Sequence, residues 1–256
     1  MCDACGCGSR HVHEHDHGHG HDHTHDHGHG GGEVVAVGAG LLSANDHMAA
    51  HVRAHLDRHG ILAVNLMSSP GSGKTSLLEA TIAALPPGIR VAVIEGDLET
   101  ENDAERIRRH GVPAVQISTG VVCHLDAGMV HDALDGLSLR EVDILFIENV
   151  GNLVCPADFA IGQHRNVVLL SVTEGDDKPD KYPVIFRNAD LVVLTKTDLL
   201  PHIDDFDVDR AHAAVGRVRG NGPIAEISAR TGRGIDAWTA WLTAELAAHR
   251  AALRAA

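Results

Sequence analysis

Ser68-Ser69-Pro70-Gly71-Ser72-Gly73-Lys74-Thr75 restricts what this chain can fold into more than any other stretch. It follows Ile61-Leu62-Ala63-Val64-Asn65-Leu66-Met67, which reads as a buried strand, and opens a helical stretch to about Leu85. Strand, glycine-rich turn and helix in that order form a phosphate-binding P-loop. The glycines let backbone N–H groups wrap phosphate oxygens. Lys74 then reaches the β- and γ-phosphates, and Thr75 turns its hydroxyl to Mg²⁺. Gly71, Ser72, Gly73, Lys74, Thr75 and Ser76 are the expected nucleotide contacts here. The strict pattern has glycine where Ser68 stands. The fold class that follows is α/β: a P-loop nucleoside triphosphatase with a mainly parallel sheet of about seven strands and helices on both faces. Trp238, Trp241, Leu242 and Leu246 fit a closing helix packed on that sheet.

Three further strands end in polar groups, and strand carboxyl ends border the ligand in such sheets. Val91-Ala92-Val93-Ile94-Glu95 leads to Gly96-Asp97, where Asp97 can organise Mg²⁺ or the attacking water. Ile144-Leu145-Phe146-Ile147 leads to Glu148-Asn149-Val150-Gly151. Glu148 is placed like a Walker-B acid, and Gly151 can swing an amide toward the γ-phosphate. Lys74, Asp97 and Glu148 are therefore the expected catalytic groups. Leu191-Val192-Val193-Leu194 delivers Thr195-Lys196-Thr197-Asp198. A carboxylate at Asp198 accepts both N1–H and the 2-amino protons of guanine, a donor pair that adenine lacks, and Lys196 can lie along the base plane. Ser228 and Ala229, after Ile224-Ala225-Glu226-Ile227, are set to cap the base carbonyl. The usual guanine-reading loop begins with asparagine, and a threonine hydroxyl at Thr195 cannot reproduce the amide's paired donor and acceptor. GTP and GDP remain the expected nucleotides.

The first 32 residues are of another kind. Every odd position from His11 to His29 (His11, His13, His15, His17, His19, His21, His23, His25, His27, His29) is histidine, between Val, Glu, Asp, Gly and Thr. Such a composition cannot build a packed core, and the expectation is a tail, residues 1–32, without fixed structure in the absence of metal. Its imidazoles suit Ni, Zn or Cu. Ahead of them, Cys2, Cys5 and Cys7 bring three thiolates within six residues, enough to converge on one ion. The α-amine of Cys2 could complete a square-planar Ni(II) set once Met1 is removed; half of a two-chain zinc site is the competing reading. Residues 33–256 are then expected to form one domain.

A net charge of −14 argues against nucleic-acid and anionic-membrane partners, whose phosphates call for Lys and Arg. No 18-residue apolar stretch and no signal-peptide core are present, so a cytoplasmic location is expected. In that reducing compartment the five cysteines read as ligands rather than disulfides. Cys123-His124 and Cys155 supply sulfur and imidazole inside the domain, enough for Ni or Zn if two protomers bring two sets together. Buried inert cysteine is the bland alternative. His47, His51, His55 and His59 recur every fourth residue, so that neighbours on a helix can share an ion, although a solvated helix face explains them as well.

The whole resembles the hydrogenase nickel-incorporation GTPases of the HypB family, within the SIMIBI class of dimerising P-loop proteins. The resemblance covers nearly the full chain. It is carried by the Cys-x-x-Cys-Gly-Cys start, the histidine tail, Asn65 through Thr75, Glu95-Gly96-Asp97, Cys123-His124-Leu125-Asp126, Glu148 through Pro156 and Glu174-Gly175-Asp176-Asp177-Lys178. Serine at the place of Ser68 is common in that family. The resemblance implies a high-affinity nickel site at Cys2, Cys5 and Cys7, and a weaker nickel/zinc site at Cys123, His124 and Cys155 in a homodimer interface. It also implies a HypA-type nickel metallochaperone as partner and nickel delivery to the [NiFe]-hydrogenase large-subunit precursor. With no evident activating arginine finger, intrinsic GTP turnover is expected to be slow. Two alternatives are a nickel-insertion GTPase for urease and a metal-buffering protein whose hydrolysis is vestigial.

Overall fold

In the computed structural model, which describes residues 31–97, 102–120 and 122–255, the strand ahead of the P-loop lies at the centre of the sheet. The calls on Cys2, Cys5, Cys7 and His11 through His29 fall outside the described residues. Among the described residues the strands are β1 (Leu62–Ser68), β2 (Val91–Asp97), β3 (Ala114–Ser118), β4 (Ile144–Glu148), β5 (Arg165–Ser171), β6 (Leu191–Thr195) and β7 (Ile224–Glu226). The helices are α1 (Gly31–Arg58), α2 (Lys74–Ala84), α3 (Asn102–Arg108), α4 (Ala127–Leu134), α5 (Lys178–Lys181), α6 (Pro183–Arg187), α7 (Val208–Arg219) and α8 (Ile235–Ala255). The seven strands run in the order β3-β2-β4-β1-β5-β6-β7, and every neighbouring pair is parallel. The expected architecture is the observed one.

Alternation along β1 explains the layers. Leu62, Val64 and Leu66 join Leu77 and Leu78 of α2 and Trp238, Leu242 and Leu246 of α8 on one face. Ala63 packs the other way with Val52 and Leu56 of α1 and Val130 and Leu134 of α4. Farther along the sheet, α6 and α7 cover β5 and β6 through Ile185, Phe186, Ala211 and Val215. The closing helix α8 is fixed by a buried hydrogen bond from Trp238 Nε1 to Thr81 Oγ1 of α2 at 2.8 Å.

Local signals set the helix ends that matter for the site. Ile61 N–H reaches the Leu56 carbonyl and Gly60 N–H the Asp57 carbonyl, with Gly60 at φ +64°; the paired bonds close α1 and turn the chain directly into β1. Asp126 caps α4 by accepting from Met129 N at 2.8 Å, immediately after Cys123-His124-Leu125.

Candidate nucleotide and metal sites

Parallel strands place the ends of β1, β2, β4 and β6 along one rim. One cleft there is lined by Gly71, Gly73, Lys74, Thr75, Ser76, Glu95, Asp97, Glu148 and Gly151, the phosphate end. An adjoining cleft is lined by Ser72, Gly73, Ser76, Thr195, Lys196, Asp198, Ala229 and Arg230, the base end.

At the phosphate end, Lys74 is buried, donates to Ser68 Oγ at 3.1 Å and lies 4.0 Å from Glu148. Ser68 thus has a use where the strict motif has glycine: it parks the lysine. Thr75 Oγ1 donates to Glu148 Oε1 at 3.0 Å, joining the hydroxyl expected to meet Mg²⁺ to the Walker-B-like carboxylate. Strand register sets Glu95 beside Glu148, a pairing that sequence inspection did not single out. Burial drives both carboxyls above the usual carboxylate range, and for Glu95 the neighbouring Glu148 adds to the effect. Glu95 Oε1 and Glu148 Oε2 are buried without partners, so this donor set fits a hydrated cation such as Mg²⁺. Asp97, at the tip of β2, lines the same cleft. Gly151 approaches the P-loop so closely that an added Cβ would lie 2.8 Å from Pro70 Cα, which holds the post-β4 loop against the phosphate cradle.

The base end resolves the departure at Thr195. Its hydroxyl donates to the Ser72 carbonyl at 2.7 Å and braces the base-reading loop on the P-loop. Lys196 Nζ donates to the Gly71 carbonyl at 2.6 Å from a left-handed backbone at φ +58°. Among the described residues it is the one non-glycine residue with positive φ, a strain characteristic of ligand sites. Ser228 Oγ donates to Asp198 Oδ1 at 2.7 Å and Arg230 lies 3.4 Å from Oδ2, so the carboxylate is held in place. Glu174 adds a grip on the P-loop by accepting from Ser72 Oγ.

The metal ligands proposed from sequence also converge. The Sγ atoms of Cys123 and Cys155 are 2.9 Å apart, and with His124 they bring three donor atoms within 4.8 Å of one another. His124 is buried against Phe159, ring centroids 4.0 Å apart, and its Nδ1 is buried without a partner. Burial pushes its pKa below the ordinary histidine value, keeping the ring neutral with a lone pair available. Soft sulfur, neutral imidazole and an unmatched buried nitrogen fit Ni or Zn. This trio is linked to the phosphate end. Asn149, next to Glu148, accepts from Leu125 N at 3.2 Å, and Leu125 follows His124.

His51, His55 and the rest of the every-fourth-residue row lie on or just past α1, with His59 in the turn after it. No described helix is long and apolar enough to cross a membrane.

Fold and site together define a P-loop nucleotide-binding protein with an internal cysteine–histidine cluster. The family model for the CobW/HypB/UreG nucleotide-binding domain matches residues 62–226. The hydrogenase maturation factor HypB of Rhizobium leguminosarum is 52% identical over 221 residues, 86% of this chain and 73% of that protein. Its counterpart in Escherichia coli K12 is 49% identical over 209 residues, 82% of this chain and 72% of that protein. The crystal structure of HypB from Helicobacter pylori in complex with nickel superimposes with a TM-score of 0.77 at 39% identity, covering 81% of this chain and 97% of that one. HypB from Archaeoglobus fulgidus gives 0.74 at 41% identity, with 80% and 99% covered. The chain belongs to the HypB family of nucleotide-binding P-loop GTPases.

Proposed function

We propose that this chain hydrolyses GTP and uses the nucleotide cycle to deliver nickel to the large-subunit precursor of [NiFe]-hydrogenase. The observation that carries the reading is the bond from Leu125 N–H to Asn149 Oδ1, because it ties a metal-ligand loop to the residue after Glu148. The HypB names of the similar proteins, and the nickel in the Helicobacter pylori complex, support hydrogenase and nickel as the objects of that cycle.

Each step belongs to a named group. Asp198, held by Ser228, accepts the guanine N1 and 2-amino protons, while Lys196 and Thr195 lock the base loop onto the P-loop. Lys74 leaves Ser68 for the phosphates, and the loop's N–H groups take the charge that develops on their oxygens. Thr75, Asp97 and Glu148 would hold Mg²⁺, which neutralises phosphate charge when bound. Nickel is cargo, taken by Cys123, His124 and Cys155. Val154, adjoining Cys155, is 56% exposed, an apolar side chain suited to a second protomer that would complete the ligand set. The tail histidines serve as a store, the Cys2, Cys5 and Cys7 set as the tightest nickel site, and a HypA-type metallochaperone as the exchange partner.

Phosphate release should be measured from GTP and from ATP, for the native chain and for Lys74→Ala. GTP should be strongly preferred and Lys74→Ala should be inactive in both hydrolysis and hydrogenase maturation. Equal turnover of both nucleotides would remove the guanine assignment. Normal hydrogenase maturation with Lys74→Ala would leave only a metal buffer.

A further inference from the structure

The row of histidines on α1 acquires a partner that its spacing alone does not reveal. His131 comes from α4, and its ring lies 5.4 Å from that of His51, centroid to centroid. His55 stands one turn farther along α1 from His51, on the same face. Its ring is 5.5 Å from that of His59, in the turn that closes the helix. The four imidazoles, from α1, its closing turn and α4, thus form two ring pairs joined by the one-turn spacing of His51 and His55.

We propose that His51, His55 and His131 form an auxiliary site for a borderline divalent transition metal such as Ni²⁺ or Zn²⁺, separate from the Cys123 cluster. Spacing is the first argument. Two imidazoles sharing one ion at about 2.1 Å with a tetrahedral angle have ring centroids roughly 5 Å apart. The His51–His131 separation of 5.4 Å is already close to that. Proton placement is the second. Asp132 Oδ1 lies 3.3 Å from His131 Nδ1. A proton held between those atoms leaves the Nε2 lone pair free for metal, the arrangement by which carboxylates orient metal-binding histidines. Access is the third: His51 and His59 are exposed and His131 half-buried, so an ion can arrive from solvent.

The position gives the site a use. Helix α4 begins at Ala127, three residues after His124, and Asn45 of α1 bonds both Ala127 N and the Ala160 carbonyl beyond Cys155. The histidine row therefore lies on the two helices that frame the Cys123 cluster. The chain entering α1 at Gly31 comes directly from the histidine tail. The tail and the histidine row thus belong to one continuous segment, with Asn45, bonded to Ala127 N, lying between them in the chain. The site itself holds whether or not GTP drives delivery.

Residue-resolved protection tests it on the full chain. Diethyl pyrocarbonate acylates free imidazole nitrogen and spares a metal-bound one; fragmentation mass spectrometry assigns each histidine separately from the tail. Free nickel is set by a buffer, and Cys123 alkylation is read from the same samples. His51, His55 and His131 should become protected over one nickel range, with exposed His202 reacting throughout. In His131→Gln, half-protection of His51 should need on the order of tenfold more nickel, since one tethered ligand is gone. His51→Gln should expose His131 reciprocally. Native protein in which none of the three is protected at nickel that shields Cys123 overturns the site. So does His51 protection unchanged by His131→Gln.

Discussion

Among the described residues, two places bring three potential metal donors within 4.8 Å of one another: Cys123, His124 and Cys155, and Asp57, His164 and His249. They are alike in proximity and opposite in chemistry. His164 Nδ1 accepts a hydrogen bond from Ala63 N–H at 2.9 Å, so the neutral ring carries its proton on Nε2 and gives it to Asp57 Oδ1, also at 2.9 Å. Both of its nitrogens are used, and His164 has no lone pair left for an ion; His249 Nε2, 3.6 Å from Asp57 Oδ1, is buried without a hydrogen-bond partner. His124 is the reverse case, with Nδ1 buried and unmatched. Location agrees. The first trio lies near the carboxyl ends of β2 and β4, where open α/β sheets bind ligands. The second lies at the amino ends of β1 and β5, where it joins the end of α1 to α8. What separates the two candidate trios is where the histidine protons are held, not the distance.

The largest expected effect separates the two trios by metal affinity. Cys155→Ser should weaken nickel at the internal site by at least about 100-fold, since losing a ligand costs more than losing the group that orients one. Asp57→Asn should leave the isotherm unchanged. A nickel titration followed by thiolate-to-nickel charge-transfer absorbance decides this, because only sulfur ligands give that band. To keep Cys2, Cys5 and Cys7 from obscuring it, all three are replaced by serine in each protein compared. Equal loss in both variants would mean that the second trio also supports the thiol site, and the separation of the two would fail.

Stability should show the converse. His164→Ala strands the Ala63 N–H and removes the partner of Asp57, which should cost about 1–3 kcal/mol in urea denaturation. Nickel and nucleotide binding should persist. If chelator treatment of the native chain produced the same loss of stability, the pin reading would fail.

The same histidine makes a pH prediction. Burial, helped by the nearby His249 and Arg53, outweighs Asp57 and holds His164 at about 4. In the unfolded chain it titrates near 6.5. Between those values the unfolded chain binds a proton that the folded chain refuses, so stability is full above about pH 6.5 and falls as pH drops toward 4. After allowance for partial solvent contact the contribution is about 2 kcal/mol. His249, also lowered chiefly by burial, acts in the same direction. Urea midpoints at pH 7, 5.5 and 4.5 should fall more steeply for the native chain than for His164→Ala; parallel slopes would refute the assignment.

Residue type at strand ends made much of this legible from sequence. The P-loop, Asp97, Glu148, Asp198 and the Cys123 trio each follow from a chemical group placed after a buried run, and the parallel sheet collects them. What sequence could not supply was register and hydrogen-bond partnership. Glu95 was readable as an acid closing an apolar run, but its pairing with Glu148 depends on β2 and β4 lying side by side in one register. Thr195 looked like a defective asparagine until its hydroxyl met the Ser72 carbonyl. His164 carried no periodic signal, because its partners Ala63, Asp57 and His249 come from three other elements. Boundaries shifted only slightly: β1 is Leu62–Ser68 rather than 61–67, and α2 ends at Ala84.

The smallest predicted effect tests the remaining difference between the trios, that only one is connected to the nucleotide. Asn149 is 1% exposed and uses its whole side chain: Oδ1 accepts from Leu125 N at 3.2 Å and from Val150 N at 3.0 Å, and Nδ2 donates to Asn65 Oδ1 at 3.3 Å. A shift of the Glu148 loop on GTP binding must therefore pull on Leu125, and His124 with it, while Cys155 moves on the same loop. Close packing leaves little slack: a Cβ at Gly96 would lie 2.8 Å from Leu125. Metal–ligand distances tolerate only a few tenths of an ångström, so nickel affinity should differ between the GDP and GTP-analogue states by about 5–150-fold, and nickel should alter GTP affinity by the same factor. Asn149→Ala removes one of the two connections and should lower that coupling by about 1 kcal/mol, roughly fivefold, while all three ligands remain. His164→Ala should leave it intact. Calorimetric nickel titrations with GDP and with a non-hydrolysable GTP analogue, on each variant, read the coupling directly. An undiminished ratio in Asn149→Ala would mean that the Cys155 loop alone carries the signal; a ratio of one in the native chain would make the first trio as static as the second.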